Sequence, residues 1–399
     1  MKFWSLIETL LGFCCRHAPL PPPDPLRNFH TPPVQPAAVP LKPISITQPD
    51  GPSWLLDGNA VSWHNWRFRI GFTPREGLTL HNLALYDADQ CRIRPVAHRL
   101  SFAEMVVPYG DPAAPHYRKN AFDAGEDGMG KNAHSLKLGC DCVGHIQYFD
   151  AHFTSFRGKV CSIANAVCMH EEDFGMGWKH VDWHNGVSSQ RRSRRLAVSF
   201  VCTVANYEYG FFYYLYLDGR VEFEVKLTGV LSTMATVIGT KTPYGTTLAP
   251  GLAAPIHQHF FNCRIHMAAD TQPGCATANN VLQVDTTTRP KGEDNPHHNA
   301  FAAQCTPLET ELQARSDCNS ASSRHWLIAS SHRKNRTGEP TAWQLVPHGN
   351  VHPFAHPEAM FLRRAQFLKH QLWVTRYDPE HRYPGGEFPN QVTAIPHPY

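Results

Sequence analysis

Trp66, Phe68, Ile70 and Phe72 alternate with Arg67 and Arg69, and an apolar period of two defines a half-buried β-strand. Asp57-Gly58 before this stretch and Arg75-Glu76-Gly77 after it carry turn chemistry, so the chain is expected to fold back at both ends. A second strand pair is predicted around residues 78–86 and 91–100. Beyond Asp218-Gly219, Val221, Phe223, Val225 and Leu227 alternate with Glu222, Glu224 and Lys226, the pattern of a hairpin. The run before it, residues 196–217, is apolar, β-branched and aromatic, which reads as buried strand. It is long enough to span a bilayer, but Asn206 and Glu208 in its middle and its strand-type composition assign it to a core. From 101 to 130 the alternation gives way to Gly- and Pro-rich sequence, expected to be irregular and able to build a site on a rigid scaffold. Residues 1–40 are a lead-in, dominated by proline from 16 on, and are expected to be disordered; structure is expected from 41.

The chain has 399 residues, 42% of them hydrophobic, enough for a sizeable core in one large domain or two ordinary ones. A net charge of +3 is too small to imply nucleic acid or an acidic partner. Glu8 interrupts the apolar start and no small-residue cleavage site follows, so neither a signal peptide nor a membrane anchor is predicted and a soluble protein is expected. Twelve cysteines in so long a chain do not make a small disulfide scaffold, and Cys140, Cys142, Cys161 and Cys168 miss the usual zinc spacing. The basic cluster 191–195 reads as a solvated strand edge that discourages aggregation.

Chemistry enters with Thr203-Val204-Ala205-Asn206-Tyr207-Glu208-Tyr209, inside the apolar run. Polar groups buried there need partners, since each one left without costs about 1–3 kcal/mol. Taken alone, Tyr207 is a core tyrosine with a satisfied hydroxyl. His257-Gln258-His259 begins fifty residues later (257 − 207). Residues two apart on a strand share a face, so these imidazoles could grip one metal ion, and imidazole nitrogen suits copper. Taken alone, they are two ordinary histidines.

Together, Thr-x-x-Asn-Tyr-Glu-Tyr, His-x-His and Phe260-Phe261 resemble the copper-containing primary amine oxidases of the topaquinone type. The resemblance implies a mostly β fold, a large antiparallel β-sandwich. It implies that Tyr207 is oxidised in place to topaquinone, with Asn206 in the cofactor site and copper on His257 and His259. The implied reaction is oxidative deamination of a primary amine by O2 to an aldehyde, with release of ammonia and hydrogen peroxide, in a homodimer. AEMVVPYGDP and HYRKNAFDAGEDGMG are similar to the family segment carrying the catalytic base. From the residues alone Asp123 is a turn carboxylate; the resemblance makes it the base, with Tyr109, fourteen positions earlier (123 − 109), bonded to the quinone. Ala121 falls where some members carry a gating aromatic, which implies wider access. LKLGCDC and NAVCMHEEDF are also family-like and imply a Cys142–Cys168 disulfide, worth roughly 3–4 kcal/mol where the compartment permits oxidation. Two buried free thiols are the alternative.

Some family features have no match here. His266 and Ala268 stand where the family has aspartates at a secondary calcium-type site, which needs hard oxygen ligands. Residues 271–280 read as a loop insertion, and family-like phrases resume at 294–299, 338–347 and 372–391. The family's third copper histidine follows the Asn390-Gln391 phrase, where eight residues remain (399 − 391). The expectation is therefore a catalytic β-sandwich domain over 41–399, C-terminally incomplete, in a chain truncated at both ends and acting in the cytoplasm or peroxisome. The alternatives are an inactive, non-catalytic β-sandwich fragment and, further off, a zinc hydrolase, for which no acidic third ligand stands at a useful spacing.

Overall fold

The alternating stretches at the start of the chain pair as a meander. In the computed structural model, which describes residues 42–271, 279–348, 350–387 and 389, β1 (Trp54–Asp57), β2 (Ala60–Trp63), β3 (Trp66–Thr73), β4 (Gly77–Asp87) and β5 (Arg92–Pro108) lie side by side, and β6 (Asn120–Phe122) pairs with the end of β5. On β3 the expected alternation holds, with Trp66, Phe68 and Ile70 buried and Arg69 exposed. The lead-in 1–40, most of the 271–280 insertion and the Asn390-Gln391 phrase lie outside the described residues.

A second antiparallel sheet follows: β7 (Ile146–Thr154), β8 (Val160–Val181), β9 (Ser188–Val204), β10 (Tyr207–Tyr216) and β11 (Val221–Gly229), in the order β11-β10-β9-β8-β7. Two sequence expectations change and a third holds. The 196–217 run is a hairpin rather than one strand, because β9 turns at Ala205-Asn206 into β10. Ala205 takes φ +53°, a conformation costing a non-glycine residue roughly 1–2 kcal/mol. Residues 101–108, expected to be irregular, complete β5; they are buried throughout, as a strand covered on both faces must be. The arginine cluster keeps the solvated edge expected of it: β10 reaches β9 only as far as Arg195, so 191–194 have β8 on one side alone, and Arg192, Arg194 and Arg195 pair with Asp173, Glu171 and Glu172 of β8.

The two sheets face one another across an aromatic core. Phe102 packs 4.9 Å from Phe211 and 5.6 Å from Tyr213, centroid to centroid, and Phe72 meets Phe200 edge-on at 6.0 Å. Each fully buried ring of this kind contributes about 1.5–3 kcal/mol. The expected antiparallel β-sandwich is the observed fold. Short strands β12 (Met234–Ala235), β13 (Gly245–Ala249) and β14 (Leu252–Pro255) form a small sheet, after which β15 (Phe260–Met267) returns to pair with β5. A four-stranded sheet closes the chain, with β16 (Asn280–Thr288), β17 (Phe301–Pro307), β18 (His325–Lys334) and β19 (Pro340–Leu345) in the order β17-β16-β18-β19. No helix among the described residues is long and apolar enough to cross a membrane.

Candidate active site

Tyr207 is the first residue of β10, so the turn before it fixes its direction. Thr203 and Glu208 face each other across the hairpin, and Thr203 Oγ1 donates to Glu208 Oε2 at 2.9 Å. His134 Nε2 lies 2.5 Å from Thr203 Oγ1 and 3.1 Å from Glu208 Oε2, closing a clamp on that end of the hairpin. On the other side Tyr207 pairs with Gly229 of β11. Gly229 has φ +95°, and a Cβ there would fall 2.7 Å from both Asn206 O and Glu208 N. Only glycine allows β11 this close. Val230 N donates to Asn206 O at 2.8 Å, and Ser232 N donates to Tyr207 Oη at 3.2 Å.

His257 and His259 follow β14 on a segment stitched to the end of β5. Gly110 N donates to Ile256 O and Gln258 N to Pro108 O, with Tyr109 opposite His257. The two imidazole centroids are 4.8 Å apart, and the Tyr207 ring lies 5.4 Å from one and 5.5 Å from the other. His257 Nδ1–H donates to Pro255 O at 2.9 Å, which leaves the Nε2 lone pair available. His259 Nδ1 lies 3.2 Å from Tyr209 Oη. Burial, then the neighbouring His257, push His259 down to about 4, so its imidazole is neutral at physiological pH. Two imidazoles with engaged Nδ1 atoms are a donor set that fits copper. Among the described residues no group of three or more His, Cys, Asp or Glu side chains forms such a set.

Asp123 opens a short π-turn, Asp123–Asp127, directly after β6. It is 7% exposed. Burial, then the charges of Glu104, Glu126 and Asp127, raise its carboxyl to about 7. Asp123 and Tyr207 line one cavity of about 450 Å³ together with Tyr109, Asn120, Ala121 and Asn206. Tyr207 also lines a second cavity of about 210 Å³, with His257 and His259. Tyr207 is therefore shared by the carboxylate chamber and the imidazole chamber. Tyr109 stacks on His257 at 4.7 Å. Burial, then a hydrogen bond with the Tyr207 hydroxyl, raise the Tyr109 phenol well above the ordinary tyrosine range. Ala121 presents only a methyl group to the larger cavity.

Sequence reasoning overlooked Glu104, which has no exposed surface and accepts hydrogen bonds from the amides beside Asp123. Its one signal was an acid inside the apolar stretch of β5. Cys142 and Cys168 lie in one buried cluster with Leu136, both as thiols. A hydrogen bond from Cys168 draws Cys142 down to about 7. At the positions compared with a calcium-type site, His266 stacks on Tyr377 at 3.9 Å and Ala268 is buried.

The family model described as copper amine oxidase, enzyme domain, matches residues 55–398, and the chain belongs to the copper amine oxidase family. It is 58% identical over 379 residues to a peroxisomal copper-containing diamine oxidase of Nicotiana tabacum, covering 94% of this chain and 48% of that protein. It is 48% identical over 376 residues to a primary amine oxidase of Arthrobacter sp. (strain P1), covering 94% of this chain and 56% of the relative. A crystal structure of a copper-containing benzylamine oxidase from Hansenula polymorpha superposes with TM-score 0.84 at 35% identity, over 90% of this chain and 55% of that one. The chain spans about half the length of the curated relatives it matches.

Proposed function

We propose that this chain carries the catalytic machinery of a primary-amine oxidase, which turns a primary amine, O2 and water into an aldehyde, ammonia and hydrogen peroxide. One observation carries the reading: Tyr207 lines both the cavity that holds Asp123 and the cavity that holds His257 and His259. When present, a quinone matured from Tyr207 supplies an electrophilic carbonyl, and copper on His257 and His259 supplies the redox partner for O2.

The chain's own groups then have definite tasks. Asp123 removes a proton from the amine's α-carbon; a carboxyl titrating near 7 is matched to base work at neutral pH. Tyr109 and the Ser232 amide hold the oxygen of residue 207, and Asn206 packs beside that ring. The His257 and His259 side chains, oriented through Pro255 O and Tyr209 Oη, would hold the copper beside Tyr207. The substrate class is primary amines, because the relatives are named for diamines, methylamine and histamine, which share only that group. We further assign a Cys142–Cys168 disulfide under oxidising conditions, a homodimer, and a peroxisomal or cytoplasmic site of action.

The test is to load the purified chain with copper under air and titrate it with phenylhydrazine. A coloured adduct at residue 207, with hydrogen peroxide released from a primary amine, is expected. Absence of the adduct together with absence of peroxide would overturn the reading and leave a non-catalytic β-sandwich.

A further inference from the structure

Glu104 stands in the middle of β5 with no exposed surface. Its Oε1 accepts from the backbone N–H of Met105 at 3.1 Å, Ala124 at 3.0 Å and Gly125 at 3.1 Å. Two of these amides belong to the turn that Asp123 opens. Its Oε2 lies 3.4 Å from Arg75 Nη2. Arg75 in turn donates to Gly386 O at 2.9 Å and Glu387 O at 2.6 Å and stacks on the Tyr383 ring, so it is anchored independently. A buried acid is costly unless its oxygens are bonded, and an apolar side chain would fill the same space without that cost. What the acid adds here is a grip on the turn. Five positions further on, directly after the last residue of β5, stands Tyr109, hydrogen-bonded to Tyr207. One strand and the residue that follows it thus hold both the partner of the reactive tyrosine and the loop bearing the base.

We propose that Glu104 is a positioning residue for the base: its carboxylate ties the Asp123 turn to β5 at a fixed distance from Tyr207 and sets a second negative charge beside Asp123. The catalytic meaning of this inference rests on the amine oxidase reading; the tether and the charge do not. The other charged or titratable groups around Asp123 are Glu126 and Asp127 of its own turn, Cys202 of β9, Tyr209 of β10, Tyr109 just after β5, and Arg118 and Lys119 on the cavity wall. Glu126 pairs with Arg364 at 2.8 Å and Asp127 with Lys131 at 2.7 Å, and both acids keep contact with solvent. Glu104 is the acid near Asp123 fully withdrawn from water, and after burial its charge is the largest influence raising Asp123. Gly125 belongs to the same device, since a Cβ there would collide with Pro389 Cγ and fall 2.8 Å from Glu104 Oε2 and 2.9 Å from Arg75 Nη2.

The test uses metal-free protein carrying carbon-13 in its aspartate carboxyls, with the Asp123 resonance assigned by Asp123→Asn. Glu104→Gln keeps the size and an acceptor oxygen but removes the charge. The Asp123 midpoint is expected to fall by about one pH unit or more, and exchange of the Ala124 and Gly125 amides to quicken about tenfold. Gly125→Ala leaves every acid in place, pushes the turn off Glu104, and is expected to change both readings in the same directions; it decides the matter if Glu104→Gln does not fold. In copper-loaded enzyme, Glu104→Gln is expected to move the rising limb of kcat/KM to lower pH and to lower kcat about a hundredfold with KM little changed. An Asp123 midpoint and amide exchange that stay at wild-type values in the folded variants would overturn the proposal. Failure of the wild-type chain to react with phenylhydrazine would sink the amine oxidase reading instead, while the resonance measurement still decides the tether.

Discussion

Tyr209 Oη lies 3.2 Å from His259 Nδ1, joining the hairpin that carries Tyr207 to the segment that carries the paired imidazoles. Burial holds the Tyr209 phenol well above its ordinary range, so it remains protonated, and its oxygen can accept from Nδ1–H of a neutral His259. That bond selects the tautomer with a free Nε2. Tyr209→Phe removes it without opening a cavity. Copper affinity, measured by chelator competition, is expected to drop roughly 10- to 100-fold with the unfolding midpoint little changed; an unaltered affinity would show that Tyr209 does not orient the ligand.

Asp123→Asn leaves the cavity's shape and removes its base. Steady-state kcat/KM for a primary amine is expected to fall about 10²- to 10⁴-fold, while phenylhydrazine still titrates the quinone. In wild type the rate is expected to rise with pH through about 7, where the carboxyl ionises. A limb near the ordinary carboxylate range would contradict the burial argument.

The same residue predicts a pH-dependent stability. Asp123 titrates near 7 when folded against 3.8 for a free aspartate carboxyl. An acid whose folded value is raised gives stability that is complete below its unfolded value and lost as pH climbs through the folded one. At most about 4 kcal/mol is at stake. Metal-free Asp123→Asn should therefore gain over wild type in urea unfolding at about pH 8 and show much less gain at about pH 4.5. A gain independent of pH would mean that Asp123 is not desolvated in the fold.

The legible parts of this structure were those whose pattern is local. Alternation marked β3, β4 and β11, and turn residues marked their ends. The hairpin turn at Ala205-Asn206 was hidden because it contains neither Gly nor Pro and lies within a long, mostly apolar run. β5 was cut short at 100 because Glu104 and Pro108 look irregular in a list of residues; both faces of the strand are covered, so no alternation survives there. The arginines of β9 were visible as charges, but their partners lie across a strand pairing that spacing does not reveal. Tyr207, His257, His259 and Asp123 were recognisable through motifs. Glu104 was not, because its meaning depends on two amides twenty positions away.

Gly229 faces Tyr207 across the β10–β11 pair. Gly229→Ala places a Cβ against Asn206 O and Glu208 N and forces a side chain into a left-handed conformation. A loss of more than about 1 kcal/mol of stability is expected, with a lower yield of quinone per chain because the Tyr207 ring shifts between its two cavities. Wild-type stability together with full phenylhydrazine titre would refute the need for glycine there.

On the proposed function, residue 207 is chemically remade between a carboxylate and a pair of imidazoles. The direct measurement is peptide mass mapping of position 207 after metal-free protein is given copper and air. A mass gain of two oxygens less two hydrogens is expected at Tyr207, abolished when His257 and His259 are both replaced by alanine. An unmodified tyrosine at that position in copper-loaded, aerated protein would contradict it.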